Sequence, residues 1–187
     1  LKNITGKVFL SFADKDLYDI DIIAEVVEHI NYKFDKYLTK KKEEFLEVSY
    51  LTDKKVPKLI EGYELAKISN IVKDLVNEQA EVLNPKELAN RATKLGKEFG
   101  FDVEILDEKK AQKLGMNAYL AVARASYHRP YVIIMRYKGD AKSKYTYGLV
   151  GKGLTYDTGG LSLKPTDSML TMRSDMGGAA TMIGVMC

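Results

Sequence analysis

Residues 151–187 concentrate glycine and exclude charge. They hold seven of the fourteen glycines and five of the seven methionines, but only three acids (Asp157, Asp167, Asp175) and three bases (Lys152, Lys164, Arg173). A charge buried in such surroundings must be paired, metal-bound or neutralised. Glycine allows positive φ and close backbone approach. The segment therefore folds as tight bends around a few polar side chains, and the chemistry of the chain is sought there.

The preceding residues alternate between helical and strand patterns. Lys7–Phe12 and Phe45–Leu51 read as strands, and Leu17–Thr39 as a helix with Ile20, Ile23, Val27, Ile30, Phe34 and Leu38 on one face. Asp16, Asp19 and Asp21 sit near its start and Lys40, Lys41 and Lys42 at its end, matching the helix dipole. Asp53–Pro57 is a polar, proline-ended linker. A second helix spans Lys58–Glu81. Asn84-Pro85 then caps a helix that runs to Phe99 and stops at Gly100. Phe101–Leu106, Tyr131–Tyr137 and Tyr147–Val150 read as strands, Glu108–Leu114 and Asn117–Ala125 as short helices, and Gly139–Lys144 as a turn. The expected class is α/β, with a mixed, partly parallel sheet flanked by helices.

Composition excludes several functions. A chain of 187 residues holds one domain, two at most. Its net charge is +3, and residues 1–60 balance 11 lysines against 11 acids, so nucleic-acid binding has no support from charge. The lone Cys187 cannot form an internal disulfide, which fits a reducing compartment. No apolar run approaches the ~20 residues that span a bilayer. The N-terminal LKNITGKVFL lacks a signal-peptide pattern. His29 and His128 lack metal-ligand spacing, and Cys187 has no base near it in sequence, so all three read as structural. The methionines at 169, 176, 182 and 186 read mainly as core, Met172 excepted.

Each charge of the last segment has a plain structural reading. Lys152 follows an apolar strand between two glycines and can reach solvent. Asp157 precedes Thr158-Gly159-Gly160 and suits an Asx turn. Asp175 precedes an apolar helix and suits an N-cap. Lys164 suits a surface turn before Pro165, while Asp167 and Arg173 suit solvent or a helix start. Taken together, two carboxylates and two amines converge on glycine turns at strand ends, where open α/β sheets place ligands. Carboxylates suit Mg, Mn and Zn ions. A lysine ligates a metal only as the neutral amine, which desolvation and a dication must favour. A phosphate loop competes, but Gly148–Gly153 matches neither GxxxxGK[ST] nor GxGxxG.

The stretch VGKGLTYDTGGLSLKP followed by MRSDMGGAAT resembles the signature region of the leucyl aminopeptidase (cytosol aminopeptidase) family of two-metal exopeptidases. The likeness extends back through LGMNAYLAVARAS, YKG and DLVNEQAEVLNPKELA to YKFDKYLTKKK. It implies an N-terminal domain ending at residue 56. Residues 57–187 then begin a phosphorylase/hydrolase-like catalytic domain. By that resemblance Lys152, Asp157 and Asp175 are metal ligands, with Asp157 bridging two divalent ions, Zn or Mn with Mg as a third option. Lys164 is the catalytic lysine that polarises the scissile carbonyl and stabilises the gem-diolate. Met172 lines the pocket for the substrate's first side chain, and Asp175 lies near its free amino terminus. The resemblance further implies peptide substrates, a leucine preference, a homohexamer and a cytoplasmic location.

Two departures qualify this picture. The family's NTDAEGR motif, which supplies a bridging glutamate and the arginine associated with a bicarbonate base, does not occur before Cys187. Relatives commonly carry VNTPAN where this chain has VNEQAE at Val76–Glu81. The chain opens at Leu1 and stops inside an apolar Gly/Ala/Met stretch. The expectation is a piece of a longer polypeptide that does not hydrolyse peptides alone. The competing class is a non-catalytic binding or assembly module or truncated paralogue, with a nucleotide-binding protein third.

Overall fold

A computed structural model describes residues 6–11, 19–41, 45–51 and 55–187. The chain is of the mixed α/β class and divides into two compact units, Leu1–Ile71 and Val72–Cys187.

In the first unit, β1 (Gly6–Ser11) and β2 (Leu46–Leu51) pair in parallel, with Gly6 opposite Leu46 and Ser11 opposite Leu51. A parallel pair needs a crossover, and α1 (Ile20–Asn31) supplies it, burying Ile20, Ala24 and Val27. The helix ends at Asn31, well short of Thr39. The Asn31 amide donates to Leu46 O and accepts from Leu46 N, both at 2.7 Å, which ties this position to the strand. Tyr32 turns extended. The lysines at 40 and 41 therefore do not complement a helix end, and Lys41 pairs with Asp35 instead. The expected roles of Phe12, Asp16, Leu17, Lys42, Asp53 and Lys54 fall outside the described residues.

Helix α2 (Pro57–Asn77) starts at the proline assigned to the linker and stops short of Glu81. Its last turn belongs to the second unit, where α3 (Pro85–Phe99) follows. Here local chemistry sets both ends. The Asn84 side chain accepts from Glu87 N at 3.1 Å, Pro85 takes the first helical position, and Gly100 closes the helix at φ +82°. The buried face of α3 is Leu88, Ala89, Ala92, Leu95 and Gly96. Burying each such leucine contributes roughly 1.5–3 kcal/mol. Glu78, only 2% exposed, receives Arg91 Nη2 at 3.2 Å, and Arg91 Nε reaches Glu87 at 3.0 Å.

Strand β3 (Asp102–Leu106) pairs antiparallel with β4 (Val132–Arg136). Between them lie α4 (Glu108–Lys113), capped by Asp107 through Lys110 N at 2.8 Å, and α5 (Asn117–Ala123). The described strands thus form two separate two-stranded sheets, one parallel and one antiparallel. The expected strand at Tyr147–Val150 is not formed. Tyr147 is 89% and Val150 96% exposed. An apolar run becomes a strand only against a ladder partner, and no described strand pairs with it. No helix among the described residues is long and apolar enough to cross a membrane.

Candidate metal centre

The last segment carries α6 (Thr166–Met169), a 3-10 turn (Met172–Ser174) and α7 (Gly177–Met186), joined by glycine bends. The Asx turn expected at Asp157 is present, with Gly159 N donating to Asp157 Oδ1 at 2.8 Å. Gly159 and Gly160 both take positive φ, +88° and +70°. Lys164 N then donates to Thr158 O at 2.8 Å, closing the loop so that residue 164 returns beside 157.

That closure carries the first polar contact. Lys164 Nζ donates to Asp157 Oδ2 at 3.1 Å and lies 3.3 Å from Met172 Sδ. The Lys164 side chain is therefore not a solvent-facing turn lysine. Asp157 uses one oxygen on its own turn and presents the other to the amine. The hydrogen bond from Lys164 is the main reason its carboxyl is held below the ordinary range. Partial burial opposes this, while the Gly159 N–H and the fields of Lys164 and Lys152 add to it.

The second contact joins the other two expected ligands. Lys152 Nζ lies 2.9 Å from Asp175 Oδ2. Asp175 does not cap α7. The cap position is Met176, which makes no side-chain capping bond. Ala179 N instead donates to Lys152 O at 2.7 Å, so backbone from a distant segment completes the helix start. Met172 and Met176 are buried at 7% and 1% exposure, and Met172 turns its sulfur to the lysine amine. Asp167 sits in the first turn of α6, and Arg173 in the 3-10 turn.

The structure thus pairs Lys152 with Asp175 and Lys164 with Asp157, sets the buried Met172 against Lys164, and leaves Lys152 near enough for its charge to act on Asp157. Two carboxylates and an amine are donors in kind for a divalent cation. Among the described residues no group of three or more His, Cys, Asp or Glu side chains is placed to hold a metal ion. Two features escaped the reading of the sequence. One is the Lys152 carbonyl as a helix cap, which no residue type signals. The other is the buried Glu78–Arg91 pair, whose only sequence trace is an acid inside VNEQAE.

Residues 70–187 match the family model described as cytosol aminopeptidase family, catalytic domain. A "probable cytosol aminopeptidase" of Fusobacterium nucleatum is 89% identical over the whole chain, which spans 39% of that relative's length. Among solved structures, the bottromycin maturation enzyme BotP in complex with Mn aligns with TM-score 0.82 and 32% identity. That alignment covers 95% of this chain and 39% of the other. The cytosol aminopeptidase of Coxiella burnetii aligns with TM-score 0.82 and 28% identity, over 99% of this chain and 39% of its own.

Proposed function

This chain belongs to the cytosol aminopeptidase family, and on that premise we propose that it contributes a divalent-metal centre and a catalytic lysine to the removal of N-terminal residues from peptides. The observation that carries the reading is the pairing of Lys152 with Asp175 at 2.9 Å and of Lys164 with Asp157 at 3.1 Å, with the charge of Lys152 also acting on Asp157. Lys152, Asp157 and Asp175 are the ligands. The manganese in the BotP structure supports Mn, with Zn the alternative and Mg a third. When bound, two divalent ions lower the pKa of water and polarise the scissile carbonyl.

The chain's own groups do the rest. Lys164 holds its proton and turns a fixed ammonium toward the reacting carbonyl, adding electrostatic stabilisation that needs no reorganisation. Asp157 pairs with that ammonium and keeps it in place. Lys152 would ligate as the neutral amine, which the charge of a bound dication favours. Asp175 faces the substrate's free amine. Met172, buried with its sulfur against Lys164, supplies an apolar wall for a leucine-like first side chain.

These residues provide part of a two-ion centre, so the 187-residue chain alone does not hydrolyse peptides. By the family resemblance, the remaining ligands and any bicarbonate base would come from residues outside this stretch. We place the domain division after residue 56, with 57–187 in the catalytic domain, and assign a cytoplasmic homohexamer. The decisive experiment is metal analysis of the intact protein with anomalous scattering at the Mn or Zn edge. Peaks beside Lys152, Asp157 and Asp175, with hydrolysis of leucyl peptides lost in Lys164→Ala while the metal stays, support the reading. A saturated sample without such peaks overturns it and favours a non-catalytic module.

A further inference from the structure

We propose that Gly151 and Gly178 are positioning residues whose backbone-to-backbone crossing sets the separation of Lys152 and Asp175, and through it metal affinity. The inference rests on the ligand roles proposed above. The two segments meet backbone to backbone, with the Met182 side chain packed beside Gly151. A methyl added at Gly151 would lie 2.4 Å from Gly178 O and 2.6 Å from Gly178 C. One added at Gly178 would lie 2.8 Å from Lys152 N. Real Cβ atoms do not make such contacts with backbone, so either addition must push the segments apart. Neither glycine is among those with positive φ; each is required for the space it leaves.

The crossing is locked by one hydrogen bond. Ala179 N donates to Lys152 O at 2.7 Å, in place of the capping side chain that Met176 lacks. The main chain of Lys152 thus seats the first turn of α7, while its amine meets Asp175, just before that turn, at 2.9 Å. Backbone and side chain of one residue therefore grip the same corner from two directions. Metal ligation tolerates displacements of only a few tenths of an ångström, so widening this crossing detunes the ligand pair even where the fold survives.

The neighbouring glycines provide graded controls. A methyl at Gly177 meets only Val76 Cγ2 at 3.9 Å, an ordinary contact. One at Gly153 meets the Ala179 methyl at 3.3 Å, a mild one. The experiment is calorimetric titration of the intact protein with Mn2+, alongside circular dichroism and thermal melting. G151A and G178A are expected to lose about 10- to 100-fold in Mn2+ affinity, the range for groups that orient ligands, while G177A binds like the unsubstituted protein. A structural role alone would lower the melting temperature and leave the affinity of the folded protein unchanged. Folded G178A with unaltered affinity overturns the inference. Should G151A and G178A fail to fold, G153A decides. A loss of affinity restored by adding A179G supports the inference, and binding equal to G177A overturns it. If the unsubstituted protein takes up no Mn2+, the functional reading itself fails and this inference with it.

Discussion

The amine of Lys152 stands 2.9 Å from Asp175 Oδ2, and the carbonyl of the same lysine accepts the Ala179 N–H at 2.7 Å. One residue thus joins the glycine bend after the Tyr147–Val150 run to the start of α7 by both its side chain and its main chain. The arrangement separates a contact of small energetic value from a position of large chemical consequence.

The Lys152 side chain is 63% exposed. An exposed ion pair is worth about 1 kcal/mol or less. Lys152→Met, which keeps the aliphatic stem, should therefore leave the metal-free melting temperature almost unchanged. Mn2+ should raise the melting temperature of the unsubstituted protein by linkage and leave that of the variant where it was. Equal shifts in both would remove Lys152 from the ligand set.

Asp157 makes a pH-dependent contribution. Its carboxyl is held below the ordinary value of 3.8, first by the Lys164 hydrogen bond. A depressed carboxylate adds stability that is fully present above its unfolded value and lost as pH falls through the lower folded one. The stability difference between the unsubstituted protein and Asp157→Asn, both metal-free, should be constant above about pH 5 and shrink as the pH falls below about 4. A difference that persists to pH 2 would contradict the pairing.

The Glu78–Arg91 pair is a stability element. Glu78 is almost fully buried, and Arg91 is about a quarter exposed. Removing one partner of a buried pair typically costs about 3–5 kcal/mol, and partial exposure of Arg91 puts Arg91→Ala near about 3 kcal/mol. Asn84→Ala, which removes only the cap of α3, should cost about 1 kcal/mol. Urea unfolding of the two variants would measure the ratio, and a smaller loss in Arg91→Ala than in Asn84→Ala would refute the ranking.

In the first unit, Gly62 of α2 passes directly over the start of α1. A methyl there would lie 2.1 Å from Asp21 O. Overpacking against a main chain costs about 1–3 kcal/mol or more, against the gain an alanine normally brings to a helix interior. Gly62→Ala should lower the melting temperature. An increase would mean that α1 and α2 do not cross there.

Local chemistry is the part of this protein that its sequence determined alone. The Asn84-Pro85 start of α3, its Gly100 stop and the Asx turn of Asp157 each use groups a few residues apart, so the chain carries the whole interaction within itself. The charges of residues 151–187 could be singled out by composition alone, because that segment holds only six. What needed the tertiary structure were outcomes that depend on distant partners. Helix α1 ends at Asn31 because that amide is committed to Leu46. Tyr147–Val150 stays out of a sheet because, among the described strands, none offers a ladder. The choice of Lys152 for Asp175 and Lys164 for Asp157, and the bare crossing of Gly151 with Gly178, follow from where the backbone returns in space. Residue type specifies what a group can bond, and only the folded path decides which group it meets.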